Sequence, residues 1–141
     1  MVLTDINAYI KPVVAVVPTA SAAATINGAS IDRINYQSAV LVANTGAEIG
    51  SPSARSLNAK IQHSDDGSTG WNDYTDPTTG AVAAITAITA ASTQAKVAVN
   101  LSAAKRYIRV VETVAFTGGT SPTLAVSGHV ILGGALVTPA V

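Results

Sequence analysis

Four of the eight acidic residues, Asp65, Asp66, Asp73 and Asp76, crowd into one stretch of turn-forming sequence. Carboxylates gathered on a loop are the oxygen donors that a hard cation such as Ca²⁺ takes. Their spacing does not suit an EF-hand loop, because no Asp or Asn occupies the alternate positions ahead of a central Gly and no bidentate Glu follows. Asp and Ser side chains also bond nearby backbone amides, and Gly supplies positive φ, so Ser64 to Gly70 is expected to be a turn and not a metal site. The two histidines, His63 and His129, could be joined on paper to a Ser and an Asp as a hydrolytic triad. No nucleophile elbow accompanies them, and both fall at strand positions, so they are read as strand histidines without a catalytic task. Trp71, Tyr107 and Arg109 could line a sugar surface, with rings stacking on sugar faces and polar groups fixing hydroxyls. Six aromatic residues in the whole chain are a thin supply for that work, and Trp71 is expected to pack in the core or against a sheet. Lys105, Arg106 and Arg109 form the one basic cluster, and since Arg109 shares a strand face with Tyr107, a solvated or interface face is expected there. No catalytic, cofactor-binding or metal-ligating residue is assigned from the sequence, and no cofactor is expected.

The elements that must position these side chains read as strands. Leu57, Ala59, Ile61 and His63 alternate with Asn58, Lys60 and Gln62, the period of two that buries one face of a strand. Ser38 to Asn44 is a strand ended by Thr45-Gly46, Gly50 to Ser56 a loop, and Asp76 to Gly80 another turn. Val97, Val99 and Leu101 define the inner face of a strand over Gln94 to Leu101, and Ile108 and Val110 that of a longer one over Arg106 to Phe116. Ala81 to Ser92 has Val82, Ile85 and Ile88 three apart, as on a helix, but its β-branched residues favour extended or irregular structure. Thr117 to Pro122 is a turn, Thr123 to Leu132 the last strand, and Gly133-Gly134 begins a tail.

At the other end, Pro12 to Val17 is β-branched and apolar on both faces, with Pro18 ending it. Asn27-Gly28 is a strong signal for a tight hairpin turn. Residues 1–24 are therefore read as an N-terminal arm or first strand, ahead of a β-sandwich domain over 25–141. About seven or eight strands with turn clusters between them and no convincing helix predict an all-β sandwich or barrel.

Composition limits the functions open to such a chain. Apolar residues make up 48% and charged residues 11%, against about 25% charged in ordinary soluble domains. A surface so poor in charge suits subunit packing, since charge is depleted at interface centres. The formal net charge of zero argues against binding nucleic acid or an anionic membrane. Without cysteine there are no disulfides, thiolate nucleophiles or Cys-ligated zinc. The opening MVLTDINAYIKPVV has no basic region followed by an apolar one, so no secretory leader is expected, and no apolar run approaches the length of a membrane helix.

Three stretches, Gln62 to Tyr74, Ala95 to Val114 and Ser121 to Gly134, give the chain from about residue 36 to 134 a likeness to a known group. It resembles the small β-sandwich capsid decoration, or cement, proteins of tailed bacteriophages. The points of likeness are an S-D-D-G-S turn before Trp71, an N-L-S-A-A-K-R-Y-I-R-V strand entry and a G-G close. The resemblance implies a jelly-roll-like sandwich with an extended N-terminal arm and no enzymatic activity. It further implies a homo-oligomer bound to the major capsid protein on the outer shell of the virion, bridging capsomers. The alternative is a carbohydrate-binding or adhesin-like module of a phage tail or fibre.

Overall fold

The computed structural model describes residues 5–140. A 3-10 turn, Ile6–Ala8, leads into ten strands: β1 (Lys11–Ser21), β2 (Ala24–Asn27), β3 (Ile31–Asp32), β4 (Tyr36–Ile49), β5 (Ala54–Ser64), β6 (Asn72–Asp73), β7 (Ala84–Ile88), β8 (Gln94–Asn100), β9 (Tyr107–Thr117) and β10 (Thr123–Ala135). They form two sheets. One is four-stranded in the order β1-β10-β4-β8; the other is six-stranded, with β2-β9-β5-β6 in line, β3 beside β9 and β7 beside β5. Every pairing is antiparallel. The chain crosses from one sheet to the other at each main step, from β1 to β2, β3 to β4, β4 to β5, β7 to β8, β8 to β9 and β9 to β10. That order is the jelly roll, a double-sheet form of the sandwich expected from the strand and turn pattern.

The periods of two explain the core. Leu57, Ala59 and Ile61 of β5 and Ile108, Val110 and Val114 of β9 face Ala39, Leu41 and Ala43 of β4 and Val126, Val130 and Leu132 of β10. Fully burying a side chain of Val, Leu or Ile size is worth about 1.5–3 kcal/mol, so these four central strands carry most of the cohesion. β1 adds Ala15 and Val16 to the same core. Ala81 to Ser92 is extended or irregular as read, with Ile85 and Ile88 buried from β7.

Several expected boundaries move, each for a physical reason. Pro18 does not end its strand: β1 is an edge strand running to Ser21, and Pro18 falls within a register shift where the ladder to β10 is already interrupted. Residues 11–21 therefore lie along β10 of their own chain. Asn27-Gly28 makes no hairpin, because β2 and β3 both run antiparallel to β9, from Ala24↔Val114 to Asp32↔Tyr107, so the chain pauses there without reversing. Thr45-Gly46 does not end β4; Gly46 and Ala47 lie opposite Ala125 as a bulge and the strand runs on to Ile49. Part of the expected loop is strand, since β5 opens at Ala54. Gly133 and Gly134 belong to β10, with Gly133 opposite Ser38 and Ala135 opposite Tyr36.

Candidate interaction surface

The turn after β5 is built by its own side chains. Ser64 Oγ donates to Asp66 Oδ1 at 3.0 Å and also to the Thr69 carbonyl. Asp66 accepts from Thr69 Oγ1 at 2.6 Å and from the amides of Thr69 and Ser68 at 2.8 and 2.9 Å. These bonds, the Thr69 hydroxyl first, hold the Asp66 carboxyl well below its ordinary range. Gly67 has φ +74°, and a Cβ there would come within 2.9 Å of the Tyr107 ring. Glycine lets the turn lie directly on Tyr107.

Beyond the turn, side chains from three strands form one polar line across the outer face of the six-stranded sheet. Lys60 Nζ lies 2.8 Å from Asp73 Oδ2, and Gln62 Nε2 donates to Asp73 Oδ1 at 2.8 Å. Arg109 donates through Nε and Nη2 to Gln62 Oε1 at 3.0 and 2.8 Å, and its guanidinium carbon sits 4.5 Å from the centre of the Trp71 ring. The Lys60 ammonium and then the Gln62 amide lower the Asp73 pKa. Beside this line Arg106 pairs with Asp32 at 2.7 Å and stacks 5.1 Å from the Tyr107 ring centre, while Lys105 pairs with Asp65 at 2.5 Å.

The sugar-surface trio is thus brought onto one face, but its rings are engaged. Arg109 covers Trp71, and Gly67 and Arg106 cover Tyr107. Of the two packing roles expected for Trp71, the structure gives the one on a sheet: it stays half-exposed outside the core, its Nε1 donating to the Ser68 carbonyl at 3.3 Å. The buried anchor is Tyr74, whose hydroxyl donates to the Asn100 carbonyl at 2.5 Å.

The four aspartates do not converge. Asp65 and Asp73 hold lysines and Asp66 holds its turn. Asp76 is buried and accepts from the amides of Asn100 and Thr78 at 2.9 and 2.7 Å. Burial pushes the Asp76 pKa up, yet the bonds from Asn100, Thr78 and Thr79 outweigh it and the net shift is downward. Among the described residues no group of three or more His, Asp or Glu is arranged to hold a metal ion. The histidines sit in different sheets. His63 lies against Tyr74 at 5.2 Å between ring centres, its Nδ1 accepting from the Lys105 amide at 3.3 Å; burial, then the Lys105 charge, lowers its pKa. His129 of β10 follows the inward position of Gly128 and lies on the outer face of the four-stranded sheet.

That outer face is unlike the other one. Val14 of β1, Ala125 and Ile131 of β10, Val40 and Val42 of β4 and Ala98 of β8 alternate with the core residues of their strands and point outward. Ser38, Asn44 and Ser127 lie among them, and the ionisable side chains within this face are His129 and Lys96. A shallow hollow at one end of it is lined by Ile10, Val40, Ala98 and Ile131 and, along its edge, by the buried Asp76 and by Thr78. One outer face therefore carries ion pairs and cation–π contacts, and the other is close to uncharged.

One buried group, Glu112, is not singled out by the sequence reading, and Asp76, weighed there as a possible cation ligand and as a turn residue, is a buried anchor instead. Glu112 lies in the interior, fully buried, with no hydrogen-bond partner for either oxygen among the described residues. Its signal was present: on Ile108, Val110, Glu112 and Val114 the period of two puts it in the inward set.

Fold and faces together define an all-β protein of the jelly-roll class. No protein-family model matches the sequence, and no curated protein matches it. Among solved structures the chain is similar in fold to the PBSX exported protein XepA, with a TM-score of 0.54 and 14% identity over 93% of this chain and 39% of that one. It is also similar to a chain in the structure of infectious bursal disease virus, Gx strain, with a TM-score of 0.51 and 18% identity over 94% of this chain and 35% of that one. The chain therefore spans well under half the length of either. At these identities the likeness is one of fold.

Proposed function

We propose that this protein is a structural component of a virion, of the capsid-decoration type. On this reading it is a homo-oligomer on the capsid surface that docks on the major capsid protein through the outer face of β1-β10-β4-β8. The observation that carries the reading is the contrast between the two outer faces. An extended apolar sheet face on which, among the described residues, Lys96 and His129 are the ionisable strand side chains and the already buried Asp76 lies at the edge of the hollow is suited to burial against another protein, because few charges have to be desolvated. Sharing a fold with XepA and with a chain of a virus particle supports the choice of setting. Sugar binding by a tail or fibre module has less support, because the Arg109 guanidinium occupies one face of the Trp71 ring and Gly67 and Arg106 lie against Tyr107.

The test is occupancy on purified particles. Wild-type protein should co-purify with intact capsids and appear on their exterior by electron microscopy. Val40→Lys with Ile131→Glu, which sets opposite charges across the β4–β10 pair, should strip it from them with little change in the melting temperature of the free protein. Absence of the protein from virions would sink the reading, and full occupancy by the double variant would exclude this face.

A further inference from the structure

Glu112 occupies the middle of the sandwich. Its strand neighbours are Ala59 of β5 on one side and Ile26 of β2 on the other, and across the interior it meets Gly128 of β10 beside Val16 of β1. None of these residues is titratable. The charged groups nearby in sequence turn elsewhere: Lys60 and Arg109 are engaged with Asp73 and Gln62 on the outer face, His129 lies outside β10, and Lys11 is exposed at the start of β1. A carboxylate without partners in such surroundings takes up a proton in preference to staying charged. Burial accordingly raises the Glu112 pKa to about 7.

Two of the walls around Glu112 are edge strands. β1 ends one sheet, with register shifts on both sides of Val16, and β2 ends the other. Where they meet, the Ala29 amide donates to the Ala15 carbonyl at 3.0 Å, joining the edge of one sheet to the edge of the other. Apolar side chains crowd the outside of this corner, with Val14 49% and Val17 71% exposed. The central strands cannot part without breaking long ladders, whereas the corner can open by losing a few contacts.

We propose that Glu112 is a proton-operated latch between the sheets: as the neutral acid it packs against Gly128 and Val16 and keeps β1 closed on β2, and on releasing its proton to solvent it opens this corner to water. The sign follows from a folded-state affinity for the proton above that of the unfolded chain. Stability is greatest below the ordinary Glu range of about 4.3, falls as pH rises towards about 7, and is flat beyond. The corner is closed in mild acid and loosened above neutrality.

Carbon-13 carboxyl NMR of the intact wild-type protein reads the titration directly and should show a Glu112 inflection near 7. Melting temperatures at pH 5.5 and 8.5, measured for wild type, Glu112→Gln and Glu112→Met, should differ for wild type and coincide for each variant. Hydrogen exchange of the Ala29 amide, corrected for its intrinsic pH dependence, should accelerate about tenfold more than that of central amides in wild type over this range, and not in Glu112→Met. An inflection in the ordinary carboxylate range, or the same pH dependence in the variants, overturns the proposal. Acceleration spread evenly over β4, β5, β9 and β10 overturns the latch at the corner. The NMR titration needs no variant, so a failure of Glu112→Met to fold would not protect the idea.

Discussion

The carboxyl of Glu112 fills the place that a side chain on Gly128 would take: a Cβ built at Gly128 would lie 2.6 Å from Glu112 Oε1. Two residues on facing sheets thus share one side chain's worth of space. Gly128→Ala should overpack the interior and cost about 1–3 kcal/mol in urea unfolding, the usual range for such insertions. Shortening the partner with Glu112→Val in the same chain should recover much of that loss, giving a coupling of about 1 kcal/mol or more in a double-mutant cycle. Additive effects would show that the notch at Gly128 is not matched to Glu112.

Tyr74 ties the connection after β6 to the end of β8 through its bond to the Asn100 carbonyl. Tyr74→Phe keeps the ring and removes the donor, leaving a carbonyl short of a partner. A loss of about 1 kcal/mol is expected by thermal or chemical unfolding, and an unchanged melting point would mean the bond contributes nothing net.

Asp76 makes the matching anchor on the amide of Asn100. Its pKa is lowered on folding, so its contribution to stability is present above the ordinary Asp range of about 3.9 and is lost as pH falls through and below it. Asp76→Asn should destabilise the protein by about 1–3 kcal/mol at neutral pH, because a neutral amide accepts more weakly from the amides of Asn100 and Thr78. The gap to wild type should narrow towards pH 2. Equal losses at pH 7 and pH 2 would remove the carboxylate from the explanation.

Arg109 lies over the sole tryptophan, so fluorescence reports on the outer face of the six-stranded sheet. Arg109→Ala should shift Trp71 emission to the red by uncovering the ring, at a cost in stability of about 0.5–1 kcal/mol, as for exposed cation–π pairs. Emission unchanged by the substitution would show that the ring is covered by something other than Arg109.

Much of the fold was legible. Alternation on Leu57, Ala59 and Ile61 and on Ile108 and Val110 identified the central strands, because a period of two is written in adjacent side chains. The Ser64 to Gly70 turn was equally plain, as Asp66 and Gly67 act on atoms a few residues away. Strand ends were misread at Pro18, Thr45-Gly46 and Gly133-Gly134, where residues that stop an isolated strand are absorbed by an edge or a bulge. Asn27-Gly28 misled for a related reason: whether such a pair turns the chain back depends on the strand it lies beside, here β9 on both sides of the pause.

Local period and composition are enough to establish an all-β protein with sparse charge and with turns made by Asp, Ser and Gly, since each of these is written in neighbouring residues. Tertiary structure alone decided which charges meet. It placed the polar line from Lys60 to Trp71 on one outer face and left the opposite face nearly uncharged. It also set Glu112 against Gly128 across the interior. These relations join strands distant in sequence, and they exist only once the order β1-β10-β4-β8 over β2-β9-β5 brings those strands side by side.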